Sequence, residues 1–199
     1  NSNLAVVKLL QTEGAGADIS SENELKIALK AGIPGNKMVF NGNYKTLREL
    51  ELAINNEVLI NVDSFQELEA VDKTASRLGK RARIGFRVNP DVKAPIHPYI
   101  ATGLRESKFG FDVESGQAFD AYKLAASLDN VEILGIHAHI GSQILDAQPF
   151  EEEVEKLMAI VARIKEKLGI HISFIDFGGG IGIPYHPDDE ELQPEQVAE

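Results

Sequence analysis

The sequence predicts an α/β fold, a (β/α)8 barrel of the TIM type that is present here as an incomplete fragment. Three observations predict it. Short apolar runs alternate with longer amphipathic ones along the whole chain. Ser21, Thr46 and Ser64 each stand three residues before a glutamate and just after an apolar run, the spacing of a helix capping box. No long internal break divides the pattern into two halves, as a doubly wound open sheet requires, so a barrel is favoured over an open sheet.

The elements follow in order. Leu4 to Gln11 reads as a helix and Ala17 to Ile19 as a short strand. Ser21 opens a helix to Lys30, with Gly32 as its stop. Met38 to Asn41 is the second strand, and Thr46 starts the next helix. Val58 to Val62 is an apolar strand, followed by the helix from Ser64 to about Leu78. Arg83 to Val88 is a strand ended by Asn89-Pro90. The stretch from Pro90 to about Gly110 is long for a βα connection, and its aromatic and glycine content predicts a loop covering the mouth of the barrel. Gly116 to Leu128 is helical and Ile133 to His139 is a strand. Pro149 to Leu168 is the longest helix, with Val154, Leu157, Met158, Val161 and Ile164 as its apolar face. Ile172 to Phe177 is the last strand. The acidic, proline-bearing tail from Tyr185 to Glu199 reads as a loop leading into a further helix. Six strands are visible where a closed barrel has eight. One is therefore expected before Asn1 and at least one after Glu199, with residues 1–199 read as a single domain.

Composition excludes several function classes. At 199 residues with 43% apolar content, the chain supports one substantial core. A net charge of −11 argues against a nucleic-acid surface or a polybasic membrane patch. There is no cysteine, hence no disulfide, thiolate nucleophile or zinc–sulfur site, which fits a reducing, cytoplasmic compartment. No apolar run approaches the roughly 18 residues of a membrane span. The chain opens without Met, inside a helical pattern, and reads as an internal segment.

In a barrel the chemistry sits where strands end. Gly178, Gly179 and Gly180, with Gly182 beyond them, follow an apolar strand ending in Asp176. Stripped of side chains, such a turn lets backbone N–H groups close on a phosphate; the plain alternative is a tight strand-to-helix turn. Ser142 is a second phosphate contact or, equally, a turn or N-cap serine. His137 and His139 are two apart and share a strand face. They read as a metal pair, as an imidazole stacked on a planar heteroaromatic cofactor, or as satisfied core histidines. A metal pair needs further ligands at other strand ends, and His97, His171 and His186 fall in loops or at a strand start, so no metal site is favoured. Asp18 is a strand-end carboxylate; its alternative is an N-cap, although Ser20 or Ser21 already serves. Arg87 alternates with apolar neighbours and points inward, where it must find an anion or an acceptor; the alternative is a structural salt bridge.

Taken together, Gly16-Ala-Asp18-Ile, Phe40-Asn-Gly-Asn43-Tyr-Lys-Thr, Asn61-Val-Asp-Ser64, Arg87-Val-Asn-Pro90, His97-Pro-Tyr-Ile-Ala-Thr-Gly-Leu and Ser107-Lys-Phe-Gly110 form a recognisable set. His137-Ala-His139-Ile-Gly-Ser-Gln143 and Asp176-Phe-Gly-Gly-Gly-Ile-Gly-Ile-Pro-Tyr185 are its most specific members. The chain resembles, over essentially its whole length, the pyridoxal-phosphate-dependent decarboxylases with an alanine-racemase-type barrel. The His-Pro loop and the Ile-Gly-Ser-Gln and Gly-Ile-Pro-Tyr endings resemble most the branch of diaminopimelate decarboxylases.

The resemblance implies that His139 stacks on the pyridine ring and that Ser142 and Gly178, Gly179 and Gly180 hold the phosphate. It implies that Asp18 and Arg87 line the cofactor site and that Lys108 lies near the substrate or a partner subunit. His137 and Glu24 become supporting groups. Ala138 stands where the family often has Cys, on the face turned away. The family's cofactor-linked lysine is expected two residues before Asn1, and none of the lysines present, Lys8 included, fits that role. The implied last strand, with Glu-Pro-Gly-Arg, and the C-terminal β-domain are likewise not in this segment. The implied activity is decarboxylation of meso-diaminopimelate to L-lysine, in a homodimer with a shared site. The alternatives are a related decarboxylase of ornithine, arginine or carboxynorspermidine, or a cofactor-binding protein without turnover.

Overall fold

The computed structural model describes residues 2–92, 109–186 and 191–198. Most of the expected mouth-covering loop, Lys108 included, lies outside the described residues. The described residues carry seven strands, and Ala17–Ile19 with Met38–Phe40, Met38–Phe40 with Leu59–Val62, Ala82–Asn89 with Phe111–Asp112 and Val131–His137 with Phe174–Asp176 pair in parallel. They form one sheet in the order Ala17–Ile19, Met38–Phe40, Leu59–Val62, Ala82–Asn89, Val131–His137, Phe174–Asp176, with Phe111–Asp112 on Ala82–Asn89. The chain divides into two compact units, Asn1–Gly85 with Leu124–Leu134, and Phe86–Lys123 with Gly135–Glu199.

The first unit holds α1 (Leu4–Thr12), β1 (Ala17–Ile19), α2 (Glu22–Ala31), β2 (Met38–Phe40), α3 (Leu47–Asn55), β3 (Leu59–Val62), α4 (Phe65–Leu78) and the first half of β4 (Ala82–Asn89). Ile19 pairs with Phe40, and Phe40 in turn with Ile60. All three are buried with Leu25, Leu50 and Leu68 from the helices. β3 is buried at every residue, the hallmark of a parallel strand covered on both faces, while β1 at the edge leaves Asp18 exposed.

The three expected capping boxes form in two ways. Thr46 and Glu49 make the reciprocal pair, Thr46 Oγ1 accepting from Glu49 N–H at 3.3 Å and Glu49 Oε2 accepting from Thr46 N–H at 2.9 Å. Ser21 and Ser64 cap their helices, but Glu24 and Glu67 reach one residue further back, to the N–H groups of Ser20 and Asp63. Glu67 has a second partner. Its other oxygen accepts from Lys45 Nζ at 2.7 Å.

Lys45 is the buried cation of this unit, its side chain 0% exposed. Its ammonium donates to Gly42 O, Asn61 O and Glu67 Oε1, each at 2.7 Å, so all three of its protons are used. From Asn61 the network continues: Asn61 Nδ2 donates to Asn41 Oδ1 and Asn41 Nδ2 to Asp18 Oδ1, both at 2.8 Å. The ends of β1, β2 and β3 are thus tied by side chains rather than by the ladder alone.

The second unit holds the rest of β4, β5 (Phe111–Asp112), most of α5 (Gln117–Ala125), the end of β6 (Val131–His137), α6 (Gln148–Leu168), β7 (Phe174–Asp176) and the short α7 (Pro194–Ala198). β5 was not expected. Two residues give no readable period, and the strand exists because Phe111 pairs with Val88 and packs edge-on to Phe86, ring centroids 5.6 Å apart. Tyr122 packs on the other side of Phe86 at 4.6 Å and donates its hydroxyl to Gly135 O at 2.8 Å, which satisfies the one polar atom of a fully buried ring. Strand β6 stops at His137, two residues short of the expectation, so His139 lies beyond it.

The inner face of α6 also differs from the expectation. Phe150, Glu153, Leu157, Ile160 and Ile164 are buried, while Val154 and Met158 are 40% and 47% exposed. Leu157 and Ile164 belong to both the expected face and the buried one, and the buried face turns from there toward Phe150, Glu153 and Ile160.

Replacing Lys45 by Met leaves Glu67 buried without its cation. Urea unfolding of Lys45→Met is expected to show a loss of about 3–5 kcal/mol, the usual cost of breaking one half of a buried pair. Thr46→Ala loses about 1 kcal/mol, as an N-cap does. A Lys45→Met loss no larger than that of Thr46→Ala contradicts the assigned role.

Candidate functional site

Strands β6 and β7 run in register, Gly135 beside Phe174, Ile136 beside Ile175 and His137 beside Asp176. The pairing continues past the strand ends. Ala138 N–H donates to Asp176 O at 2.9 Å, Ile144 N–H to Gly180 O at 2.9 Å and Gly182 N–H to Ile144 O at 2.8 Å. The segment carrying His139 and Ser142 is therefore laced to the segment carrying the three glycines.

Two of the three glycines are demanded by this lacing. Gly178 (φ +70°) would place a Cβ 2.7 Å from Ala138 O, and Gly180 (φ +106°) would place one 1.9 Å from Gly141 O. Only glycine takes these angles without strain and leaves room for the neighbouring backbone. Gly179 is different. A Cβ there meets nothing within 4 Å, so packing gives no reason for glycine, and the space above it is open to a ligand.

The turn's amides are organised from within. Gly178 N–H donates to Asp176 Oδ1 at 2.8 Å and Gly179 N–H to His139 Nδ1 at 3.3 Å. The structure thus differs from a bare cradle with every amide turned outward. Asp176 fixes the first amide, and the imidazole takes the second through a longer, weaker bond. Accepting that bond requires a lone pair on Nδ1, so the ring carries its proton on Nε2. Burial, and then the Arg87 guanidinium, hold His139 below the ordinary histidine value of 6.5. It is a half-buried, neutral ring at pH 7.

The other candidates fall as follows. His137 is 3% exposed, its Nε2 3.9 Å from Asp176 Oδ2, which makes it a companion of the carboxylate that sets the turn. Arg87 is 7% exposed, with its guanidinium 4.3 Å from the Phe109 ring. Ser142 is exposed and caps no described helix, since α6 starts from Ala147. Asp18, in the first unit, accepts from Asn41 and is not an N-cap, a role that Ser21 fills. Glu24, in the same unit, serves the start of α2. Lys108 lies outside the described residues. Among the described residues no group of three or more His, Asp or Glu is placed to hold a metal.

One residue of the turn was missed. Gln143, at φ +62°, accepts from Ile183 N–H at 3.3 Å and also donates to Ile183 O. It closes the far side of the glycine turn as a backbone-like amide pair. Its signal in the sequence is its place at the end of the His137–Gln143 motif, directly after Gly141-Ser142.

The glycine turn makes a sharp contrast testable. Gly180→Ala is expected to unfold the turn and lower thermal stability by several degrees, on the order of 2–3 kcal/mol or more for a strained, clashing site. Gly179→Ala is expected to stay within about 1 kcal/mol of the parent while weakening any ligand held over the turn. Equal losses for the two contradict the reading of Gly179 as open.

Comparison with known proteins places this geometry. Residues 1–199 match the family model described as "Pyridoxal-dependent decarboxylase, pyridoxal binding domain". A diaminopimelate decarboxylase of Aquifex aeolicus is 50% identical over 200 residues, covering 100% of this chain and 47% of that protein. A crystal structure of the Methanocaldococcus jannaschii diaminopimelate decarboxylase in co-complex with L-lysine superposes with a TM-score of 0.92 at 45% identity, covering 100% of this chain and 46% of that one. A Helicobacter pylori diaminopimelate decarboxylase complexed with L-lysine gives a TM-score of 0.89 at 38% identity, over 100% of this chain and 50% of that one. The chain spans about half the length of the relatives it matches. Its fold is that of an incomplete (β/α) barrel.

Proposed function

The chain belongs to the pyridoxal-dependent decarboxylase family, and from that premise we propose that it is the pyridoxal-phosphate-binding barrel domain of an enzyme that decarboxylates meso-diaminopimelate to L-lysine. The observation that carries the proposal is the His139–Gly179 contact inside a turn whose middle glycine has no packing reason to be glycine. The relatives named diaminopimelate decarboxylase, two of them with L-lysine in their crystal structures, support the choice of substrate.

The residues present fit the cofactor. Ser142 offers an exposed hydroxyl beside the glycine turn, and the open face of Gly179 leaves space for a phosphate to approach. A neutral His139 offers a flat imidazole to a pyridine ring and adds no positive charge against it. Arg87 brings a buried cation to the same unit, and Asp176 keeps the turn from relaxing by holding Gly178 N–H. When bound, pyridoxal phosphate supplies the electron sink that carbon dioxide loss needs, and the protein supplies binding and aim. Asp18, held by Asn41, joins the proposal as a carboxylate of the cofactor site. Lys108 joins it as a residue near the substrate or the partner subunit. The resemblance extends the proposal to a homodimer with a shared site and to a cytoplasmic location. Among the described residues, no helix is long and apolar enough to cross a membrane.

The test is release of labelled carbon dioxide by the full-length protein from carboxyl-labelled meso-diaminopimelate, with ornithine and arginine as competitors. Release from diaminopimelate is expected, and His139→Ala is expected to lower kcat/KM about 100-fold, the scale of a misplaced reacting group. Release only from ornithine or arginine overturns the substrate. Cofactor binding without release of carbon dioxide from any of the three overturns the decarboxylase.

A further inference from the structure

Glu153 sits on the buried face of α6 and is 0% exposed. Both its carboxylate oxygens are buried, and neither has a hydrogen-bond partner among the described residues. Native proteins rarely leave a buried carboxylate in this state, because removing it from water costs several kcal/mol unless a donor or a cation replaces the lost hydration. The same burial acts on its protonation. Burial, and then the charge of Asp176, push Glu153 up to about 8. A carboxyl group raised in the folded state binds more protons there than in the unfolded chain. It therefore stabilises the fold below its ordinary value of 4.5, and that contribution is lost as pH rises toward about 8.

Glu153 also lines a cavity of about 740 Å³. Phe150, Val154, Phe177 and Val197 give this cavity an apolar wall, and Glu151 and Glu155 add two more carboxylates. The volume is that of a small-molecule pocket, too large for a bare metal ion, and no group of three metal-ligating side chains stands among the described residues. Aromatic and aliphatic walls around one orphaned carboxylate are the surroundings that an organic cation needs. The carboxylate takes the charge, a ring face is attractive to it, and the hydrocarbon meets the apolar side.

We propose that the cavity lined by α6 and α7 binds a primary alkylammonium ion, with the Glu153 carboxylate as its anchor and Phe150 and Phe177 against its carbon chain. Pairing with the ammonium replaces the proton that Glu153 otherwise holds at neutral pH, so the proton leaves to solvent as the cation enters. The proposal stands apart from the decarboxylase reading, and its measurement involves neither cofactor nor turnover.

The experiment is calorimetric titration of the full chain with n-pentylammonium chloride at pH 7, repeated in buffers of different ionisation enthalpy, with potassium chloride as the control salt. Saturable binding with one ion per chain is expected, with release of about one proton per ion. Glu153→Gln, which keeps the shape and loses the charge, is expected to bind at least about tenfold more weakly and to release no proton. Glu153→Leu is the second variant, since an apolar replacement at a buried ionic site is commonly tolerated; it is expected to lose binding likewise. Absence of saturable binding overturns the proposal. So does unchanged binding in a folded variant, or equal competition by potassium, which marks the effect as general screening.

Discussion

Two hydrogen bonds from consecutive glycine amides organise the candidate site. Gly178 N–H is held by Asp176 and Gly179 N–H by His139, and both acceptors come from the ends of one parallel strand pair. The register of β6 on β7 places His137 beside Asp176 and sends Ala138 N–H to Asp176 O. Once that ladder forms, His139 has to emerge over the glycine turn. The turn accepts it because Gly178 lacks the Cβ that would stand 2.8 Å from the imidazole nitrogen. Sequence, register and imidazole position are therefore one constraint seen at three levels.

The constraint also sets the electrostatics. A ring that accepts a backbone N–H on one nitrogen and is half-buried stays neutral, so it can lie against an aromatic ligand without competing for the ligand's own proton. Asp176 works on the backbone, holding Gly178 N–H. In the first unit Lys45 plays a comparable part, drawing two carbonyls and a carboxylate to one buried ammonium and ending, through Asn61 and Asn41, on Asp18. In each unit a polar network, buried in the first and partly exposed in the second, holds the chain where it leaves the strands, which is where a parallel α/β fold keeps its chemistry.

Much of this was legible from residue order. The helix starts at Ser21, Thr46 and Ser64 are local chemistry, and a local pattern exposes them. The strands from β1 to β4 announce themselves as apolar runs. The proximity of His139 and Gly179 followed from the parallel α/β reading, which puts both strand ends at one mouth, and from the family resemblance, since no local rule joins residues 40 apart. What escaped the sequence was decided by tertiary contacts. Strand β5 exists because Phe111 has Phe86 to lean on. The expected face of α6 held Leu157 and Ile164, which are buried, but also Val154 and Met158, which are not, while Glu153 reads as a solvent-facing charge. Packing overrides that preference and buries Glu153. Gln143 escaped because its contact is with the backbone of Ile183, across the turn.

The central claim is that the turn from Asp176 to Gly180, with His139 against it, is built to receive a phosphorylated pyridine. The most direct measurement is a crystal structure of the protein soaked with pyridoxal phosphate. The account predicts phosphate density beside Ser142 and the backbone of Gly179 and Gly180, with the ring against the His139 imidazole. Density for the ligand elsewhere, with the glycine turn empty and the His139–Gly179 bond undisturbed, contradicts it.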